Sequence, residues 1–129
     1  MKRKESLYPT DWLRIAEKDL NRVHHLLAVH DPEAAGFYLQ QAVEKFLKAF
    51  LLSRGWALQR IHDLEPLLNE GLAFDSSMEK YRSVLQKITG LYFVERYPLM
   101  LEAGLSEKDV VDALQQVTGL LDTIRSHLK

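Results

Sequence analysis

At 129 residues the chain is long enough for one domain that buries roughly two-thirds of its unfolded surface, and 47% apolar with 27% charged residues excludes a mostly disordered chain. Seventeen Lys and Arg against eighteen Asp and Glu leave a formal charge of -1, so any binding of nucleic acid must use a local patch rather than a global positive field. The absence of cysteine excludes disulfide scaffolds and thiolate zinc sites.

The N-terminal MKRKESLYPTDW is basic but has no apolar h-region, so it does not read as a secretory signal. No apolar run approaches the about 18–20 residues that cross a bilayer. The expectation is a cytoplasmic protein with no membrane association. After Pro9-Thr10, a first helix is predicted to run to about His30, with Trp12, Ile15, Ala16, Leu20, Val23, Leu26 and Leu27 near helical spacing on one face. Asp31-Pro32 supplies a cap and a first-turn proline for a second helix from Pro32 to Arg54, closed by Gly55. Residues 56–61 read as loop, and Asp63 is placed to cap a short helix over Leu64 to Leu72. Ser76-Ser77-Met78-Glu79 has the capping-box pattern, which predicts a fourth helix through Met78, Tyr81, Val84, Leu85, Ile88, Leu91 and Tyr92. Tyr97-Pro98 disfavours its continuation, because a residue before proline is pushed out of the α region. Ser106 opens the last helix, with Asp109 in place of the usual Glu at the third position after the cap. There Val110, Leu114, Val117, Leu121, Ile124 and Leu128 recur at spacings of four and three, a seam suited to bundle packing or to a dimer interface. The predicted fold is all-α: an antiparallel bundle of four main helices plus one short helix, a single domain over 1–129 with its core at about 11–128.

Helix two, FYLQQAVEKFLKAFLLSRG, is apolar over most of its circumference and so belongs at the centre of such a bundle. Its thin polar stripe is Gln40, Gln41, Glu44, Lys45 and Lys48. The spacings Glu44 to Lys48 and Gln41 to Lys45 are each one helical turn, so an ordinary surface ion pair and a polar contact account for them. The alternative sets Lys45 and Lys48 beside Arg96 in a groove, as a small anion site.

Four pieces of the chain, in order, resemble the HEPN family (higher eukaryotes and prokaryotes nucleotide-binding domain). They are Asp11-Trp12-Leu13 with Ala16 and Asp19-Leu20; Gln40-Gln41-Ala42-Val43-Glu44-Lys45 with Leu47-Lys48-Ala49; His62-Asp63-Leu64; and Arg96-Tyr97-Pro98. The resemblance implies a compact helical bundle, commonly a homodimer, often encoded beside a minimal nucleotidyltransferase as a two-component or toxin–antitoxin pair. It also implies a nucleotide or RNA ligand and no cofactor. Many members are metal-independent ribonucleases with an Arg-x4-6-His motif. Here Arg96 is followed by Tyr97-Pro98-Leu99-Met100-Leu101-Glu102-Ala103, and the next histidine is His127.

Arg96 is the first candidate site residue. A guanidinium holds phosphate bidentately, but attack by a ribose 2′-hydroxyl also needs a proton acceptor, which the sequence does not place beside it. Tyr92 and Tyr97 flank it and offer rings on which a base can stack, although half-buried packing is the commoner role of such tyrosines. Gln41, Glu44, Lys45, Lys48 and His62 complete the candidate ligand-binding set. The expected function is a nucleotide- or nucleotidyltransferase-binding partner without an assigned catalytic residue. A ribonuclease toxin with a degenerate motif is the alternative. A metal phosphohydrolase of the HD type, using His24 or His30, His62-Asp63 and Asp109 or Asp112, ranks third because Asp31 and Asp63 are explained as helix caps.

Overall fold

The computed structural model describes the backbone of residues 5–96 and 106–128, with side chains described to residue 92 and again from residue 106. Among the described residues five α-helices follow in order: α1 (Pro9–Ala28), α2 (Pro32–Ser53), α3 (Leu64–Leu72), α4 (Arg82–Arg96) and α5 (Glu107–His127), with a 3-10 segment at Ser76–Tyr81 leading into α4. No strand occurs among the described residues. The all-α bundle of four main helices and one short one is therefore the observed fold.

The boundaries follow from local chemistry. Pro9 and Pro32 sit in the first turns of α1 and α2, where a missing N–H costs nothing. The Asp31 carboxylate accepts from Ala34 N at the start of α2. At the end of α2, Gly55 N bonds Leu52 O and Trp56 N bonds Leu51 O, while Gly55 takes φ 87°; this is the Schellman closure anticipated from the glycine. The same pair of bonds closes α1, from His30 N to Leu27 O and from Asp31 N to Leu26 O. There a histidine at φ 60° takes the left-handed position that glycine usually fills, so α1 stops at Ala28, short of the predicted His30. Ser106 and Asp109 form both halves of a capping box at α5, the aspartate reaching back to the Ser106 N–H.

Two caps differ from expectation. The fourth helix does not open on a Ser76 box. Asp75 is the cap residue, its carboxylate accepting from Ser77 N at 3.0 Å, and the chain makes a 3-10 turn before α4 starts at Arg82. Asp63 does stand at the cap position of α3, but its side chain makes no capping bond. Tyr97-Pro98 lies outside the described residues.

α2 sits at the centre and packs against each of the other four α-helices. Ala35, Leu39, Val43, Phe46, Leu47 and Phe50 are fully buried along it, and α3, α4 and α5 contribute Leu67, Leu85, Ile88, Val117 and Leu121 to the same core. α1 runs antiparallel to α2: Trp12 meets Lys48, Asp19 meets Lys45 and Arg22 meets Tyr38, one number rising as the other falls. Arg125 ties α5 to α1 by a two-pronged bond to Glu17 (2.9 and 2.6 Å) and lies over the Phe46 ring. The Glu17 carboxylate, with Asp122 behind it, raises the guanidinium pKa still further.

The C-terminal end of α5 is held by a second polar cluster. Arg54 donates to His127 Nδ1 at 2.5 Å; a guanidinium has no acceptor, so the ring hydrogen is on Nε2 and points to Asp75 Oδ2, 3.1 Å away. The Ser77 hydroxyl, then His127 and the Ser77 N–H, hold the Asp75 carboxyl below its ordinary value. This joins the ends of α2 and α5 to the turn before the 3-10 segment.

Two stability measurements follow. Because folding lowers the Asp75 pKa, its ionic contribution is complete above its ordinary value of 3.8 and drains away as pH falls through the lower folded-state value. Asp75→Asn keeps a capping oxygen, so its urea midpoint should fall below that of the parent at pH 7 and converge with it as the pH drops below 3.8. Separately, a Cβ added at Gly119 would collide with the Tyr81 hydroxyl. Gly119→Ala should therefore forfeit the about 1 kcal/mol that alanine normally gains over glycine inside a helix, and Tyr81→Phe in the same chain should recover it in urea unfolding.

Candidate functional site: a cleft beside a buried ionic stripe

The polar stripe of α2 is not a solvated face. Gln40, Glu44 and Lys48 are buried, at 4%, 5% and 1% exposure, and so is Asp19 of α1 at 2%. Charges with so little access to water are stable only when paired and hydrogen-bonded, and each of these is. Lys48 donates to Glu44 Oε2 at 3.2 Å and lies 5.2 Å from the Trp12 ring centre. Asp19 receives Lys45 on one oxygen and Arg22 on the other. Glu44 also accepts from Gln40 Nε2 (3.4 Å) and from His62 Nδ1 (3.2 Å), and Gln40 Nε2 donates as well to the His62 carbonyl at 3.0 Å. Gln41 turns to Gln40 rather than to Lys45, its amide N–H reaching Gln40 Oε1 at 2.7 Å.

On one side of this stripe, between α2 and α4, a cleft of about 270 Å³ is lined by Phe37, Gln41, Glu44, His62 and Tyr92. Phe37 and Tyr92 stack with their ring centres 5.4 Å apart and planes 19° from parallel, making an aromatic wall. The buried Glu44 carboxylate forms the polar side, and His62 covers it from outside with a side chain that is 70% exposed. Four of the eight sequence candidates, Gln41, Glu44, Tyr92 and His62, therefore share one cavity.

The others are distributed differently. Lys48 is behind Glu44 and faces Trp12, and Lys45 points to Asp19. Lys45 lines a second cleft, also about 270 Å³, on the α1 side with Glu5, Ser6, Asp11, Trp12, Arg14 and Ile15. Arg96 is the last residue of α4, one turn beyond Tyr92, and its side chain lies outside the described residues, as does all of Tyr97. Phe37 was not anticipated, although its position four before Gln41 and seven before Glu44 puts it on the same helical face. Asp19 entered the sequence reading only as part of the first family-like piece, with Leu20, and was not named as a site residue.

Histidine and carboxylate positions do not assemble a metal centre: among the described residues no group of three or more His, Asp or Glu side chains is placed to hold an ion. His30 pairs with Glu107 and His62 with Glu44, at separate places in the bundle. No helix of the described residues is long and apolar enough to cross a membrane.

The family model for the HEPN domain matches residues 9–127. The chain belongs to the HEPN domain family. Two solved structures agree with this assignment. TT1696 from Thermus thermophilus is 26% identical, with a TM-score of 0.80 over 92% of this chain and 97% of that one. ST0689, an archaeal HEPN homologue, is also 26% identical, with a TM-score of 0.69 over the whole of both chains. No match was found among curated proteins. The HEPN resemblance rested largely on Gln40-Gln41-Ala42-Val43-Glu44-Lys45 and His62, and in this HEPN domain those residues form the buried stripe and its cover.

The stripe has a direct test. Lys48→Met strands Glu44 in the interior and should cost about 3 kcal/mol of unfolding free energy, whereas Lys48→Met with Glu44→Gln should recover most of it. Guanidinium denaturation of the two variants beside the parent gives both numbers.

Proposed function

We propose that this HEPN domain is a nucleotide-binding partner protein that uses the cleft between α2 and α4. The observation that carries the reading is the cleft itself, which the stacked rings of Phe37 and Tyr92 line together with the buried Glu44 carboxylate. An aromatic face accepts any base, and fixed polar groups at its edge orient it. Arg96, at the adjacent end of α4, is the group assigned to the phosphate. The protein works as a homodimer within a two-component, toxin–antitoxin-like system, with a minimal nucleotidyltransferase as its protein partner. No proton-transfer group is assigned beside Arg96, so binding rather than RNA hydrolysis is the role proposed.

Isothermal titration with nucleoside monophosphates, with and without co-expressed nucleotidyltransferase, tests the proposal. Tyr92→Ala should weaken nucleotide binding at least about tenfold, the loss of one base–aromatic stack. Arg96→Ala should weaken nucleotides but leave nucleosides unaffected. A monomer that binds neither nucleotide nor nucleotidyltransferase would falsify the reading. RNA cleavage in EDTA that disappears in Arg96→Ala would replace it with the ribonuclease one.

A further inference from the structure

The hydrogen-bond directions in the cleft are fixed by their partners, and they make its polar side accepting. Gln40 sends its amide nitrogen to two groups that can only accept, the ionised Glu44 carboxylate and the His62 carbonyl. Its oxygen must then face Gln41, which has to answer with its own amide nitrogen. That leaves Gln41 Oε1, on a residue lining the cleft, without a hydrogen-bond partner among the described residues. Beside it stands Glu44, whose Oε2 is bonded by the buried Lys48 from within and by the exposed His62 from without. Oε1 receives a single long bond from Gln40 at 3.4 Å and retains accepting capacity.

The cleft therefore presents two neighbouring acceptors, Glu44 and Gln41, next to a flat aromatic wall. Its negative charge is matched by Lys48 directly behind it, so an added cation gains little. What complements such a site is a flat, neutral ring with adjacent N–H donors on one edge. Among the common bases guanine alone carries a ring N–H next to an exocyclic amine, whereas adenine and cytosine offer one amine beside an acceptor, and uracil one N–H between two acceptors.

Resting on the nucleotide reading above, we infer that the cleft selects guanine through Glu44 and Gln41. A free guanine nucleotide and an unstacked guanine in single-stranded RNA present the same edge. His62 is the replaceable donor: it lies on the solvent side of Glu44, and a ligand N–H can take its place on Oε2.

Titration of the full chain with GMP, IMP, AMP, CMP and UMP tests the selection, since IMP lacks only the exocyclic amine. Hexanucleotides of single-stranded adenylate carrying one guanine or one inosine test the RNA source in parallel. GMP, or the guanine hexamer, should bind at least about tenfold more tightly than its inosine counterpart, because the exocyclic amine that inosine lacks carries two N–H groups, one for Glu44 and one for Gln41. Gln41→Leu, at a half-buried position whose loss leaves the ionic pairs intact, should shrink that ratio by about threefold or more with an unchanged circular dichroism spectrum. Equal binding of all five nucleotides and of both hexamers overturns the guanine assignment while leaving nucleotide binding in place. Binding of none of them overturns both.

Discussion

Glu44 and Lys48 form an ion pair inside the central helix, and most of the site geometry depends on how that pair is satisfied. Desolvating two charges is costly, and the cost is recovered only if the remaining hydrogen-bonding capacity is filled. Here Gln40, His62 and the Trp12 ring fill it, which draws α1, α2 and the segment before α3 together around one group. The cleft is a by-product of that arrangement. Its polar side is the outer edge of the ion pair's own solvation shell, and its aromatic wall comes from the α2 turn before it and from α4.

Much of the fold was legible because the signals were local. Asp31-Pro32, Gly55 and Ser106 each fix a helix end by chemistry within a few residues, and the structure uses all three. Where two local signals competed, the sequence was ambiguous. Asp75 and Ser76 are both good caps, and the aspartate prevails because its carboxylate is also bonded to Ser77 and to His127, a residue 52 positions away. The left-handed His30 was equally out of reach, since nothing local distinguishes it from a helical histidine.

The site was half legible. Gln41, Glu44, His62 and Tyr92 could be singled out by residue type and by family resemblance, and they share a cavity. The burial of Glu44 and Lys48 could not be foreseen. One-turn spacing of Glu44 and Lys48 predicts the same contact in water or in the core, and only the packing of α1 across the stripe decides between them. Periodicity reports which residues share a face, but it says nothing about what lies on the other side of that face. For the same reason Lys45 was grouped with Lys48 although it turns to Asp19.

The contact between Asp19 and Lys45 has a consequence for alignment. Apolar faces such as those of Ala16, Val23, Leu39 and Val43 are forgiving of sliding, because one aliphatic surface resembles the next. A shift of α1 along α2 by a single turn, about 5.4 Å, would preserve most of that burial but separate Asp19 from Lys45 and Trp12 from Lys48. The first separation would leave the buried Asp19 with Arg22 alone, and the second would take from Lys48 the ring that covers it beside Glu44. The stripe therefore acts as a ratchet tooth between the first two helices, admitting one alignment of the hairpin where the oily contacts alone would admit several.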